Sequence, residues 1–136
     1  MPLRWEILDP QKLIHVVAEG EVTLKEMEAH FDALVVANAL GYSKLFDATR
    51  LKPVYDAADV MAMGARLSAY TEHFPSGPLA VIGRDESVVL AFKRFVNISP
   101  SKRPAALFST EKKARAWLAK QAAPEVEGPK PDRGSA

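Results

Sequence analysis

Apolar residues near the N-terminus occur in two short runs that predict a pair of strands. The runs cover residues 4–8 and 12–19, contain β-branched and aromatic side chains, and are separated by Asp9-Pro10-Gln11. Proline between polar residues is typical of a turn, so the runs predict a hairpin. Gly20 is predicted to end the second strand.

Further along the chain, apolar residues recur at intervals of three and four positions, which predicts four helices. A T-x-x-E capping box at Thr23 and Glu26 opens the first helix, and Gly41 follows it as a stop. The predicted caps of the third and fourth helices are Asp85 and either Ser109 or Thr110. The core-facing positions are Leu24, Met27, Phe31, Leu34, Val35 and Asn38 in the first helix, Val60, Met63, Leu67, Tyr70 and Phe74 in the second, Val88, Ala91, Phe92, Phe95 and Val96 in the third, and Ala114, Trp117, Leu118 and Gln121 in the fourth.

Short apolar runs between the helices predict three more strands. The third strand contains Leu45 and Phe46 and ends near Asp47, residues 79–83 are a continuous apolar run, and residues 104–108 form the last strand. Strands alternating with helices predict an α/β fold, a single mostly parallel β-sheet with an N-terminal antiparallel hairpin and about four packed helices. We expect one domain over residues 1–121 and a flexible tail over residues 122–136, which are rich in proline, glycine and charge.

The amino-acid composition limits the classes of protein to which this chain can belong. A chain of 136 residues with 48% hydrophobic and 26% charged residues is ordinary for one globular domain. The chain has no cysteine, which excludes disulfides, thiolate nucleophiles and cysteine-based zinc sites and fits a cytoplasmic location. The N-terminus meets acidic residues before any long apolar segment, so we expect no signal peptide, and no apolar run is long enough for a membrane span.

The net charge of +1 conceals two halves of opposite sign. Residues 1–83 carry 7 basic and 11 acidic residues, a balance of −4, whereas residues 84–136 carry 11 and 6, a balance of +5. The basic residues of the second half include Lys93, Arg94, Lys102, Arg103, Lys112, Lys113, Arg115 and Lys120. They form either a patch that attracts an anionic surface or two solvated helix faces and a loop. The aromatic residues near them in the third and fourth helices are assigned to the core-facing sides and not to the basic sides, so nucleic acid is not an expected partner.

The segment Tyr55-Asp56-Ala57-Ala58-Asp59 is predicted to start the second helix. Asp56 can accept a hydrogen bond from the backbone N–H of Ala58 or Asp59, and its charge favours the positive end of the helix dipole. Tyr55 and Val60 have the spacing of a hydrophobic staple, and Asp59 adds charge to the first turn.

The order of the elements and several segments resemble a known family. The segments are EGEVTLKEME at the first helix, KLFDATRLKP at the third strand, DAADV at the second helix and LFSTEKKARAWL at the end of the domain. Over residues 5–118 the chain is similar to the SpoIIAA-like family, a branch of the STAS fold. Most members of that family have no assigned reaction, and the fold is also similar to the lipid-binding CRAL-TRIO domain.

The resemblance implies a candidate regulatory position at the start of the second helix. In anti-sigma-factor antagonists of this fold, a serine there is phosphorylated and switches partner binding. Here the matching segment, Tyr55 to Ala58, contains no serine or threonine. Asp56 is either a plain cap or a permanent negative charge in that place, and Thr49, after Asp47, is the nearest hydroxyl.

The sequence contains few features of a catalytic site. His15, His30 and His73 are too dispersed to predict a metal site, and neither a G-x-S-x-G elbow nor a phosphate-binding glycine pattern occurs. Asp47 and Asp56 are the remaining candidates, as paired carboxylates at the carboxyl ends of the strands. We therefore predict a protein without catalytic activity, metal or cofactor.

Two binding hypotheses remain open. The first is a protein-interaction module at the junction of the third strand and second helix, residues 50–59, with Met61 and Met63 nearby. The alternative is an apolar-ligand or membrane-surface module of the second and third helices. Its residues are Phe92, Phe95, Val96 and Ile98 beside Lys93, Arg94, Lys102 and Arg103. Self-association into a homodimer is a further open alternative.

Overall fold

The computed structural model describes residues 2–54, 56–71, 77–98 and 104–127. The strands are β1 (Leu3–Leu8), β2 (Leu13–Val22), β3 (Ser43–Pro53), β4 (Leu79–Ile82) and β5 (Ala105–Phe108), and the helices are α1 (Leu24–Val36), α2 (Ala57–Thr71), α3 (Glu86–Ile98) and α4 (Glu111–Glu127). A 3-10 turn over Asp9–Gln11 joins β1 to β2. Helix α4 thus continues past position 121, where the predicted domain ends, and the boundary itself stays a prediction.

The five strands form one sheet in the order β1-β2-β3-β4-β5. Strand β1 pairs antiparallel with β2, and each later pair is parallel, which confirms the predicted α/β architecture. Successive strands are added in one direction only. Right-handed crossovers therefore place α1, α2 and α3 on the same face of the sheet.

The two faces of the sheet have separate cores. On the first face, alternate residues of β2 and β3, such as Val16 and Phe46, pack with α1, α2 and α3. On the second face, Leu45, Ala80 and Ile82 pack with Ala114 and Leu118 of α4. Strand β4 is buried on both faces, as its continuous apolar run predicts.

The predicted core faces of the helices are largely confirmed. Val60, Met63 and Val88 are buried, but Val96 is 42% exposed and does not face the core. Leu67, Tyr70 and Phe74 are also predicted for this core. The side chains of the first two, and all of Phe74, lie outside the described residues.

Helix α1 ends earlier than predicted. Its last residue is Val36, and Asn38, which the apolar stripe includes, has a φ of 56°. The N–H of Asn38 donates to Val35 and that of Ala39 to Leu34, the hydrogen-bond pattern of a Schellman motif. Asparagine tolerates the left-handed conformation that this motif needs, so Asn38 and not Gly41 ends the helix.

Strands β2 and β3 are longer than predicted, because a bulge lets their pairing continue. Val17 pairs with Asp47 and Glu19 pairs with Arg50, so one residue of β2 lies opposite two residues of β3. Gly20 does not end β2 but lies within it, with a φ of 77° that glycine adopts without strain. Beyond the bulge, β2 and β3 pair as far as Val22 and Pro53, and we call this two-stranded segment, residues 19–22 with 50–53, the ribbon.

At the opposite end of the sheet, Tyr42 links the loop before β3 to the β1–β2 turn. Its hydroxyl donates to Asp9 over 2.7 Å. This hydrogen bond, with smaller effects from desolvation and the negative charge, raises the pKa of Tyr42 above its ordinary value of 10.0.

The Tyr42 contact predicts a pH effect on stability. The folded chain favours the neutral phenol, so its contribution is complete below pH 10.0 and is lost as the pH rises through the raised folded-state pKa. We expect NMR of 13C-labelled tyrosine to give Tyr42 a pKa above 10.0, and D9N to lower it toward that value. An unchanged Tyr42 pKa in D9N would contradict the assignment.

Candidate functional site

The order of the strands limits where a site can form. Open α/β sheets bind ligands where the strand order reverses and two crossovers leave on opposite faces. Among the strands that the structure describes, the order has no reversal, so these parallel strands form no such crevice. Two other features remain: the surface at the start of α2, and a cavity between the sheet and its helices.

The start of α2 is a reciprocal capping box. The N–H of Asp59 donates to the Asp56 carboxylate over 2.9 Å, and the N–H of Asp56 donates to the Asp59 carboxylate over 3.1 Å. Asp56 is therefore the predicted cap, and Asp59 has a second role that its sequence position did not reveal. Tyr55, the predicted staple partner of Val60, lies outside the described residues.

Replacing Asp56 with alanine is expected to lower the free energy of unfolding by about 1 kcal/mol, because a helix N–H loses its acceptor. Urea denaturation followed by circular dichroism measures the change. The exposed helix position Lys93 supplies the control, since K93A should change stability by less than about 0.5 kcal/mol. Equal stability of D56A and K93A would count against the cap.

Asp47 and Thr49 lie at the bulge in β3 and not in a loop. The Asp47 carboxylate accepts the N–H of Thr49 over 3.0 Å and its hydroxyl over 2.7 Å. A bulge disrupts the ladder of hydrogen bonds between strands, and this carboxylate supplies a local acceptor there. Pro53, the last residue of β3, is six positions beyond Asp47, roughly 20 Å of extended chain. Asp47 and Asp56, the two acids predicted as a pair, therefore have separate structural roles, one at the bulge and one at the start of α2.

Exposed apolar residues flank the start of α2. Val54 is 48% exposed and Met61 is 61% exposed, whereas Met63 is buried in the core. The exposed acid Asp56 and the partly exposed Asp59 lie between them in the sequence. The surface thus combines two apolar side chains with two carboxylates, and we call Val54, Asp56, Asp59 and Met61 the α2 surface.

Behind this surface is an apolar cavity of about 90 Å³. Its floor is the first face of β3 and β4, and its walls are α1, α2 and α3. The wall residues include Met27 and Phe31 of α1, Val60 and Met63 of α2, and Phe92 and Phe95 of α3. An apolar cavity of roughly 150 Å³ can hold the six carbons of benzene, so this smaller one has room for an alkyl group of about three or four carbons.

The residues predicted to form a membrane surface lie on two different sides of α3. Phe92 lines the cavity, while Lys93 and Arg94 are exposed on the other side of the helix. Lys102, Arg103 and the side chain of Ile98 lie outside the described residues. The basic residues of α4 are on the second face of the sheet, opposite α3, so the described basic residues do not form one patch.

The core contains a buried polar pair that the sequence pattern does not predict. Lys44 of β3 is 4% exposed and His30 of α1 is completely buried, and the Lys44 Nζ lies 2.9 Å from the His30 Nε2. The His30 ring also contacts Trp5 edge-on, with centroids 4.6 Å apart. Helical spacing places His30 beside Met27 and Phe31, which is the signal that could have indicated its burial.

Neither a metal cluster nor a membrane span occurs within the described ranges. No group of three or more histidine, aspartate or glutamate side chains there has the geometry to hold a metal ion. No helix in those ranges has the length and apolar character to cross a bilayer.

The sequence matches no family model and no curated protein, so comparison rests on solved structures. One similar structure is an uncharacterized protein of the DUF3478 family with a SpoIIAA-like fold from Shewanella loihica PV-4, with a TM-score of 0.57, 21% identity, and coverage of 85% of this chain and 91% of that one. Another is an anti-sigma factor antagonist from Mycobacterium paratuberculosis, with a TM-score of 0.54, 15% identity, and coverage of 86% and 92%. The chain therefore has the SpoIIAA-like, STAS-type fold that the resemblance implied.

Proposed function

We propose that this chain is a non-catalytic regulatory module that binds a protein partner through the α2 surface. The observation that carries the proposal is the exposure of Val54 and Met61 beside two carboxylates. Methionine is flexible and polarizable, and it is common on surfaces that bind other proteins. The anti-sigma factor antagonist among the structural neighbours supports a protein-binding role in general.

The chemistry of the α2 surface suggests the kind of partner. Burial of Val54 and Met61 needs an apolar contact, while Asp56 and Asp59 favour basic residues around it. Both carboxylates also cap α2, so reversing their charge would weaken the helix as well as the contact. Met61 is the better probe, since it is exposed and has no part in the cap.

The test compares two exposed apolar residues at opposite ends of the domain. Tagged wild-type protein, M61K and V36K are used to capture partners from a cytoplasmic extract of the native host, with quantitative mass spectrometry. Val36 ends α1 and is 88% exposed, so V36K matches the change in charge and apolar area. We expect M61K to lose at least tenfold of a specific partner that V36K retains. Equal capture by the two variants would refute the α2 surface as the binding site.

Self-association is distinguished by light scattering of the purified chain. A dimer that M61K converts to a monomer, and that V36K leaves intact, would identify a second copy as the occupant of the α2 surface. A monomer in all three proteins leaves a different protein as the partner.

A second candidate function is binding of a small apolar ligand, which the cavity favours. Its walls supply methionine and phenylalanine side chains from three helices, and Phe92 faces it. The same observation argues against a peripheral membrane role for Phe92, since a residue that inserts into lipid must face outward.

The methionine methyl groups report directly on this cavity. Met27 and Met63 line it, whereas Met61 is exposed on the outer side of α2. We expect 1-propanol, which has four heavy atoms, to shift the 13C-methyl NMR signals of Met27 and Met63 and to leave that of Met61 unchanged. Equal shifts at all three positions, or none, would contradict a ligand site in the cavity.

A further inference from the structure

Strand β1 lies at one end of the five-stranded sheet, and among the described strands it pairs only with β2. The pairing continues from Leu3 to Leu8 without a bulge, and no proline interrupts the strand. Bulges and prolines are common ways to block a free strand edge, because an unpaired edge can bind a strand of another chain. The outer edge of β1 therefore has the regular backbone that strand addition needs.

The backbone groups of alternate residues in β1 point to this free edge. The N–H of Glu19 donates to the carbonyl oxygen of Pro2 over 2.7 Å, so Pro2 and Glu19 are a hydrogen-bonded pair. Such pairs alternate with non-hydrogen-bonded pairs along an antiparallel ladder. By this alternation, three residues have N–H and C=O groups that point away from β2: Leu3, Trp5 and Ile7.

The side chains of β1 are self-complementary about Trp5. When two copies of β1 lie antiparallel with Trp5 opposite Trp5, Arg4 of each copy lies opposite Glu6 of the other. Leu3 of each copy then lies opposite Ile7 of the other. One face of the joined strands has two pairs of opposite charge and the other face has apolar pairs, and both kinds stabilise a sheet. The outward-pointing groups also meet, which allows about six hydrogen bonds between the two strands.

The charges of β1 select this register. A shift of the centre by one residue, to Arg4 or to Glu6, keeps the outward-pointing groups opposite each other. It also places Arg4 opposite Arg4, or Glu6 opposite Glu6, and like charges directly opposite are destabilising. Only the register centred on Trp5 satisfies both the backbone and the charges.

Both charged side chains are accessible to a second copy. Glu6 is exposed and has no ion pair within the part of the chain that the structure describes. Arg4 lies 3.1 Å from Glu19, but 55% of its side chain is exposed, and Arg50 binds the same carboxylate over 3.3 Å. Arg50 therefore keeps Glu19 paired when Arg4 turns toward a second copy. Trp5 is half-buried, so part of its ring is left for the dimer to cover.

We propose that β1 pairs antiparallel with β1 of a second copy, which joins two five-stranded sheets into one continuous sheet. The same surface is used by both copies, so the dimer has two-fold symmetry and closes on itself. Strand β1 is separate in the chain from the α2 surface, residues 54–61. The dimer and the binding of a different protein by the α2 surface are therefore independent of each other.

Charge reversal in β1 tests this dimer, with sedimentation equilibrium of the purified chain as the measurement. We expect the wild-type protein to be a dimer. R4E and E6R each turn both opposite-charge pairs into like-charge pairs, so each should weaken the dimer about tenfold or more. Glu21 is an exposed acid in the ribbon, and E21R should leave the dimer intact. M61K should also leave it intact.

A mixture of the two reversed variants tests the pairing itself. R4E has two acidic residues in β1 and E6R has two basic ones, so R4E opposite E6R restores an attractive pair at both positions. We expect the mixture to recover the dimer that each variant alone has lost. Recovery also shows that both variants are folded, because misfolded chains would not regain a specific partner.

Hydrogen exchange measured by NMR locates the interface. The N–H of Trp5 points to the free edge, whereas the N–H of Arg4 points to β2. We expect the Trp5 amide to be protected in the wild-type dimer and to lose about tenfold or more of that protection in E6R, while the Arg4 amide stays protected in both.

Three results would overturn the β1 dimer. The first is a monomeric wild-type protein, and the second is a dimer that either R4E or E6R leaves intact. The third is a mixture of R4E and E6R that stays monomeric. A dimer that M61K disrupts and E6R does not would instead place the second copy on the α2 surface.

Discussion

Replacing Gly77 with alanine is expected to lower the free energy of unfolding by about 3 kcal/mol or more. Gly77 is buried just before β4, and its N–H donates to Leu40 over 3.3 Å. A Cβ there would lie 2.6 Å from the carbonyl carbon of Tyr42 and would also overlap the carbonyl oxygens of Gly41 and Tyr42. All of these are backbone atoms, so relief requires the loop before β3 to move.

Urea denaturation of G77A, followed by tryptophan fluorescence, measures this loss. Gly20 is the matched control, because a Cβ added there would meet nothing within 4 Å and only its φ of 77° opposes alanine. G20A should therefore cost about 1 kcal/mol. A G77A protein as stable as G20A would show that close packing against Tyr42 is not what requires a glycine.

The second large effect is expected at the buried pair. Replacing His30 with leucine keeps an apolar side chain between Trp5 and Phe31 but removes the imidazole that lies 2.9 Å from Lys44. Hydrogen bonds to charged groups contribute about 1.5–3 kcal/mol, and H30L should lower the free energy of unfolding by about that amount.

A double-mutant cycle tests whether the loss comes from the pair. If H30L is costly because of the ammonium, then the double variant H30L/K44M should be more stable than H30L alone. Denaturation of the two single variants and the double variant supplies the four corners with wild type. Additive losses would indicate that Lys44 and His30 contribute independently, which would remove the pair as a structural unit.

The fold was largely predictable because local signals agree with the global arrangement. The capping boxes and hydroxyl caps act within four residues, and the Thr23 and Glu26 pair forms as predicted. The fourth helix also begins as expected, with the Thr110 hydroxyl accepting the N–H of Lys113 over 3.3 Å. The continuous apolar run of β4 is typical of a strand that is buried on both faces, and the structure has such a strand there.

Long-range pairing explains the features that the sequence pattern does not predict. Glycine often ends a strand, which is why the pattern predicts an end at Gly20, but its tertiary role is to continue β2 opposite Leu51. Acids at strand ends are often site residues, yet the Asp47 carboxylate satisfies the N–H of Thr49 at the bulge. No periodic pattern or motif spacing in the sequence indicates that Gly20 lies within β2 or that Asp47 bonds to Thr49 at a bulge.

The candidate sites also contain both residues that local sequence signals predict and residues that depend on long-range contacts. Asp56 could be placed from its neighbours alone, and the exposure of Met61 beside a buried Met63 follows the helical period. The Lys44 and His30 pair could not be placed, because the two residues are 14 positions apart and belong to a strand and a helix. Buried lysine is rare, so the sequence alone favours a solvent-exposed Lys44.

The ribbon lies at the point where the chain leaves the sheet for the first two helices. Its strands end at Val22 and Pro53, and these residues lead directly into α1 and toward α2. β4 pairs with β3 only between Lys44 and Asp47, so the ribbon extends beyond the part of the sheet that is braced on both sides. Among the described strands, the ribbon is therefore paired only within itself, and it leads into α1 and toward α2, two of the three helices that line the cavity.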